Sequence, residues 1–179
     1  MIAGYCLFTT ALGACGIAWA ERGLLGVQLP ETDEAAGRAR MRRRFPRLEE
    51  VDPPPWVGAI VARIQGLLSG RADDLLDVPL DMEGVPPFNQ RVYEITRAIA
   101  PGRTLTYGEV ARRLGEPGAA RAVGQALGHN PFAPVVPCHR VLAAGNAGGG
   151  FSAEGGVATK LRMLQIEGAQ LGSGPGLFD

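Results

Sequence analysis

The sequence predicts a mixed α/β fold of the α+β kind, in which a small antiparallel sheet precedes a largely helical half. Three observations carry this expectation. Tyr5–Leu29 holds three short apolar runs separated by glycine-bearing turns, the pattern of a meander. Later segments space their apolar residues three and four apart, as helices do. A glycine–proline cluster, Gly84-Val85-Pro86-Pro87, punctuates the middle of the chain. We therefore expect an N-terminal domain over residues 1–85 and a C-terminal domain over residues 86–179.

Composition bounds the answer. With 179 residues, 46% apolar and 20% charged, the chain can bury a core and is not disordered. The net charge is zero, but the halves differ: residues 1–85 carry 9 Arg against 12 Asp and Glu, and residues 86–179 carry 8 Arg and Lys160 against 6 Asp and Glu. A basic C-terminal half fits an anionic partner. Three cysteines, Cys6, Cys15 and Cys138, read as reduced thiols in a cytoplasmic protein. The apolar stretch Tyr5–Ala20 lacks a basic start and is broken by glycines, so neither a signal peptide nor a membrane partner is expected. The only histidines are His129 and His139, and no CxxC or HxxxH spacing occurs, so no metal is expected.

In order, strands are expected over Tyr5–Thr10, Cys15–Ala20 and Leu24–Leu29, with Cys6 and Cys15 packed as small apolar residues. Thr32 opens a helix to about Arg44. Its basic run is flanked by acidic residues and reads as a solvated face. A core helix spans Trp56–Leu68, and the alternation over Asp73–Met82 predicts an edge strand. Phe88–Ala100 is a helix with Val92, Ile95 and Ile99 inward and Arg91 and Arg97 solvated. Thr106 followed three residues later by Glu109 is a capping box opening a short helix to Leu114. Gly115–Gly118 turns into a second short helix, Ala119–Gly128, giving a helix-turn-helix. A last helix is expected over Val157–Ile166.

The chemistry centres on Pro137-Cys138-His139-Arg140-Val141. A thiol attacks only as thiolate, and a free pKa of about 8.5 leaves little thiolate at neutral pH. A neighbouring imidazole or guanidinium can activate it, and His139 and Arg140 stand in place to do so. Arg121-Ala122-Val123-Gly124, Asn130-Pro131, the pentapeptide, Gly149-Gly150-Phe151-Ser152, Lys160-Leu161 and Glu167-Gly168 follow one another in this order. This constellation resembles the O6-alkylguanine-DNA alkyltransferases, or methylated-DNA–protein-cysteine methyltransferases. The match is dense over residues 86–170 and loose before them.

The resemblance implies an N-terminal ribonuclease-H-like domain and irreversible, single-turnover transfer of an alkyl group from guanine O6 in duplex DNA to Cys138. His139 would act on the thiol through a water, with Glu167 holding the imidazole. Asn130 would order the cysteine loop. Tyr107, Pro137, Val141, Phe151, Ser152 and Lys160 would surround the flipped base, with the Ser152 N–H facing O6. Arg121 would fill the gap the base leaves, with Ala122, Gly124 and Gln125 on the same helix against the minor groove. Arg103, Thr104 and Arg140 complete the expected DNA contacts. Phe151 stands where some members carry tyrosine, and Glu154 adds a negative charge near the pocket. The implied partner is double-stranded DNA bearing O6-alkylguanine, with O4-alkylthymine left open. The chain is read as a monomer needing no cofactor.

Three other readings compete with this one. An alkyltransferase-like protein binds lesions without chemistry, but such proteins replace the cysteine that is present here. A helix-turn-helix regulator would carry several base-reading polar residues, where this helix offers only Arg121 and Gln125. A cysteine hydrolase would turn over.

Overall fold

The computed structural model describes residues 3–144 and 156–169. Strands β1 (Gly4–Thr10), β2 (Gly13–Ala20) and β3 (Gly23–Gln28) form the expected antiparallel meander, in the order β1-β2-β3. Strand alternation decides which helix covers which face. Cys15, Ile17 and Trp19, two apart, point to one side and pack with Val57, Ile60, Ile64 and Leu67 of helix α2 (Pro55–Leu67). Ala18 points to the other side and meets Met41 of helix α1 (Glu34–Arg44). Gly16 makes that approach possible, because a Cβ there would lie 2.7 Å from Met41 Sδ. Each fully buried Leu or Ile side chain in this layer contributes about 2 kcal/mol.

Three local expectations need correction. The N-cap of α1 is Asp33, not Thr32: its carboxylate accepts the Ala36 N–H at 2.8 Å. Residues 73–82 form no strand beyond an isolated bridge between Leu24 and Leu80. Their carbonyls are diverted, since Arg97 Nη2 donates to Leu75, Leu76 and Val78, and Arg63 holds Asp73 and Asp77. Leu75 takes φ 54°, which no strand accommodates. For the same reason Arg97 is a half-buried clamp on that segment and not a solvated residue.

The later elements are helix α3 (Pro87–Arg97), strand β4 (Leu105–Thr106), helices α4 (Tyr107–Arg113) and α5 (Ala120–Gly128), a 3₁₀ turn (Cys138–Arg140), strand β5 (Val141–Leu142) and helix α6 (Val157–Glu167). The capping box is complete: Glu109 N–H donates to Thr106 Oγ1 at 3.1 Å, and Thr106 N–H to Glu109 Oε1 at 3.0 Å. A cap of this kind is worth about 1 kcal/mol. α3, α4 and α5 share a core built on Val92, Val110, Val123 and Leu127. Segment 131–136 reaches into both cores, with Val135 in the sheet core and Phe132 and Val136 in the helical one. Among the described residues, no helix is long and apolar enough to cross a membrane.

Candidate active site

A two-residue parallel ladder fixes the site. Leu105 pairs with Val141 and Thr106 with Leu142, so the start of the helix-turn-helix lies beside the end of the cysteine turn. This ladder joins segments about 35 residues apart, and their short runs carry no strand signal of their own. Asn130 shapes the turn from the other side. Its Nδ2 donates to the Val136 carbonyl at 2.8 Å, and its Oδ1 accepts the Phe132 N–H at 2.9 Å. Cys138, preceded by buried Pro137, then sits at the first position of the 3₁₀ turn with 6% of its surface exposed.

Behind Cys138 lies a buried ionic network. Glu167 ends α6, where Gly168 at φ 72° turns the chain away. Glu167 Oε2 is 2.8 Å from His139 Nε2 and accepts from Arg140 Nη2 at 2.8 Å, while Oε1 accepts from Arg140 Nε at 2.9 Å. Arg140 Nη1 donates to the Ile99 carbonyl at 2.7 Å. Burial would raise the Glu167 carboxyl, but the bonds from His139 and Arg140 outweigh it and hold the group down at about 2. Glu167 is therefore a carboxylate and can only accept. The proton of His139 then resides on Nε2, and Nδ1 carries the lone pair. Nδ1 is buried and has no hydrogen-bond partner among the described residues. Burial lowers the imidazole pKa against the pull of Glu167, so His139 is neutral.

The thiol is shifted the other way. Burial raises the Cys138 pKa, while a hydrogen bond from Asn130 and the positive charge of Lys160 work to lower it. Lys160 is fully buried, its Nζ donating to the Val141 carbonyl at 2.8 Å and lying 5.7 Å from the Tyr107 ring centroid. Burial pulls its ammonium down to about 8, with Cys138 opposing. Burial likewise raises the Tyr107 phenol, with a further push from Cys138.

The expected residues divide by position. Tyr107, Arg121, Gly124 and Gln125 line one groove of about 960 Å³, together with Arg112, Ala143 and Ala144. Arg121 and Gln125 are exposed on the outer face of α5, and Ala122 is half-buried beside them. Arg103 is exposed and Thr104 half-buried in the turn before β4. Arg140 does not belong with the DNA contacts: it is 1% exposed and its guanidinium is bonded to Glu167 and Ile99. Phe151, Ser152 and Glu154 lie outside the described residues. Sequence reasoning missed Tyr93, whose hydroxyl donates to the Ala126 carbonyl at 2.6 Å and ties α5 to α3. It also missed Arg112 as a groove residue.

A buried cysteine followed by a neutral histidine bonded to a carboxylate, tied by the β4–β5 ladder to a helix-turn-helix with its own groove, is the arrangement of a thiol group-transfer protein built on a DNA-binding type of fold. The sequence model described as the 6-O-methylguanine DNA methyltransferase DNA-binding domain matches residues 87–169. A methylated-DNA–protein-cysteine methyltransferase of Mycobacterium tuberculosis is 41% identical over 128 residues, covering 72% of this chain and 74% of the relative. A DNA base-flipping protein of Thermus thermophilus is 42% identical over 120 residues, covering 65% of this chain and 79% of that protein. The crystal structure of Mycobacterium tuberculosis OGT in complex with DNA matches with a TM-score of 0.73 at 34% identity, over 92% of each chain. The chain belongs to the methylated-DNA–protein-cysteine methyltransferase family.

Proposed function

We propose that this protein repairs DNA by direct reversal, moving an alkyl group from O6 of guanine in duplex DNA to Sγ of Cys138. The observation that carries this reading is the buried Cys138, followed by the His139–Glu167 pair and held by the β4–β5 ladder beside the helix-turn-helix. Similarity to a relative solved on DNA supports DNA as the partner. In the proposed step, the thiol proton passes through a water to His139 Nδ1. The thiolate attacks the alkyl carbon in line, an S–C bond forms, and the C–O6 bond breaks with its electron pair going to guanine O6. Glu167 stabilises the imidazolium that results, and the N–H groups of the Ser152 region would stabilise the departing guanine anion. The thioether has no route back, so each molecule reacts once.

Base flipping must precede attack, and Arg121 on the exposed face of α5 is placed to fill the vacated stack. Tyr107, Pro137, Val141 and Lys160 would bound the pocket, and Arg103, Thr104, Ala122, Gly124 and Gln125 would contact the duplex. We assign residues 1–85 to a supporting domain and residues 86–179 to DNA binding and transfer. A monomer acting in the cytoplasm fits the three free cysteines. The similarity to a base-flipping protein raises the alternative of lesion binding without chemistry. Incubation with O6-methylguanine duplex followed by intact mass decides between them. A gain of one CH2 on the peptide holding Cys138, at one per protein, is expected. Unmodified protein that still binds the lesion would establish the alternative.

A further inference from the structure

The N-terminal sheet does more than cover a core, because its edge strand is bonded to the segment that carries the nucleophile. The Val27 N–H of β3 donates to the Pro131 carbonyl at 2.9 Å, and Val27 forms a parallel bridge with Phe132. Arg44, the last residue of α1, closes this junction. Its Nη1 donates to the Val27 carbonyl at 3.3 Å and its Nη2 to the Pro131 carbonyl at 3.1 Å. Pro131 has no N–H of its own, and among the described residues both bonds its carbonyl accepts come from the N-terminal half. The next residue back is Asn130, which holds Phe132 N–H and the Val136 carbonyl, and the Cys138 N–H in turn bonds to that same carbonyl at 2.8 Å.

Two further features mark this as a built junction. Gly26 leaves the space: a Cβ there would lie 2.6 Å from Arg44 Nη2, 2.8 Å from Phe45 Cζ and 3.3 Å from the Pro131 carbonyl oxygen. Arg44 is also half-buried with no carboxylate partner among the described residues, its neighbours being backbone carbonyls and the Phe45 ring, whose centroid lies 5.0 Å from Cζ. Burial, with the nearby charge of Arg40, lowers its pKa to about 10. Partial burial costs such a cation hydration that no ion pair among the described residues restores, and its hydrogen bonds go to the two carbonyls of this junction. The rest of the basic run on α1 does not share this arrangement, since Arg42 and Arg43 are exposed and Arg38 pairs with Glu34 and Glu50.

We propose that Arg44 is a positioning residue for the transfer reaction, locking the Pro131 carbonyl to the sheet edge so that Asn130 presents Cys138 at the correct place. The proposal rests on the self-alkylation reading above. It places the control of Cys138 geometry partly in the N-terminal half, about 90 residues away in sequence, through one guanidinium. Arg44 touches neither substrate nor nucleophile, so its effect must appear in the rate of the bound complex and not in DNA affinity.

The test uses the full chain and free O6-benzylguanine, which needs no flipping, with Cys138 alkylation followed by mass. Wild type, Arg44→Met, Arg44→Lys and Gly26→Ala are compared. Arg44→Met keeps an unbranched apolar stem and removes every donor. Gly26→Ala leaves Arg44 in the sequence but displaces its head. The saturating rate per folded molecule should fall about tenfold in Arg44→Met and Gly26→Ala, with the half-saturating concentration within about twofold of wild type. Arg44→Lys, which can reach only one carbonyl at a time, should recover part of the rate. Binding to unmodified duplex should be unchanged in all variants. Variants that lose thermal stability but alkylate at the wild-type rate per folded molecule would overturn the proposal. Equal rates for Lys and Met would overturn it as well. If either substitution fails to fold, the other decides. A wild type that gains no benzyl group would instead defeat the self-alkylation reading, a result distinct from either.

Discussion

Cys15 and Cys138 are both buried thiols, yet they belong to two different environments. Cys15 is fully buried in β2, its sulfur 3.6 Å from Thr10 Oγ1 and otherwise among apolar side chains. Burial pushes it up to about 11, against the weak pull of that hydroxyl. Cys138 is raised by burial too, but Asn130, Lys160 and the backbone of its turn all oppose the shift. Burial therefore does not separate an inert thiol from a reactive one. What separates them is what surrounds the sulfur: Cys138 is followed by a neutral histidine whose Nδ1 has no partner among the described residues and feels the Lys160 charge and the Asn130 amide, where Cys15 has the Thr10 hydroxyl.

The largest effect that can break this comparison comes from Cys138→Ser. Transfer should be abolished while binding to duplex DNA survives, because the groove residues on α5 are untouched. Peptide mass mapping of wild type should place the alkyl group on Cys138 alone. Label on Cys15 or Cys6 would mean that the two environments are not functionally distinct.

Access is the next difference to test. Arg121→Ala should slow repair of duplex by about a hundredfold, since flipping costs a few kcal/mol, and should hardly change reaction with free O6-benzylguanine. Arg121→Lys keeps the charge without the planar guanidinium and should recover binding more than rate. Equal slowing on duplex and free base would place Arg121 in support of the fold.

The ionic network predicts an acid response that the sheet cannot share. His139 and Glu167 both have folded pKa values below their ordinary ones, so both contribute stability that is lost as pH falls. The loss begins below about 6.5, where unfolded histidine takes up a proton that buried His139 refuses. It continues from 4.5 toward the folded value of about 2 for Glu167, as the carboxylate that His139 and Arg140 hold ionised is protonated. Urea midpoints across this range should show the slope. Glu167→Gln should be less stable at neutral pH, having broken a buried pair with Arg140, and should show a shallower slope below 4.5. An unchanged slope would mean that other carboxylates dominate.

These contrasts also explain what the sequence could disclose. The three strands, the capping box of Thr106 and Glu109, and the pairing of α4 and α5 were legible because each is a local pattern with a local cause. The pentapeptide located Cys138 and His139 for the same reason. Direction was not legible. The resemblance implies that Arg140 is a DNA contact, yet it turns inward, where Glu167 and the Ile99 carbonyl accept its N–H groups. Lys160, the only lysine, could have been a surface residue, and only the β4–β5 ladder places the Val141 carbonyl where its Nζ ends. The alternation over 73–82 suggested a strand because no local signal announces that Arg63 and Arg97 will take its polar groups.

The smallest expected effect sharpens the comparison from the side of the inert thiol. Cys15→Ala removes a fully buried sulfur, the only loss being its packing and a weak contact with Thr10. The cost should be about 1 kcal/mol, at the low end for core truncations, because one heavy atom goes and Thr10 Oγ1 keeps its bond to the Gly13 carbonyl at 2.9 Å. The alkylation rate per folded molecule should equal that of wild type on both duplex and free base. Cys15→Ser should cost more than Cys15→Ala, since it buries a hydroxyl in an apolar layer with one modest partner. If Ser were instead the milder change, the Cys15 site would be polar, and the distinction between the two thiols would rest on the imidazole and ammonium near Cys138. A slowed alkylation in Cys15→Ala would be more informative still. It would mean that the β2 core transmits strain to Cys138, through the Val27–Pro131 junction on the neighbouring strand.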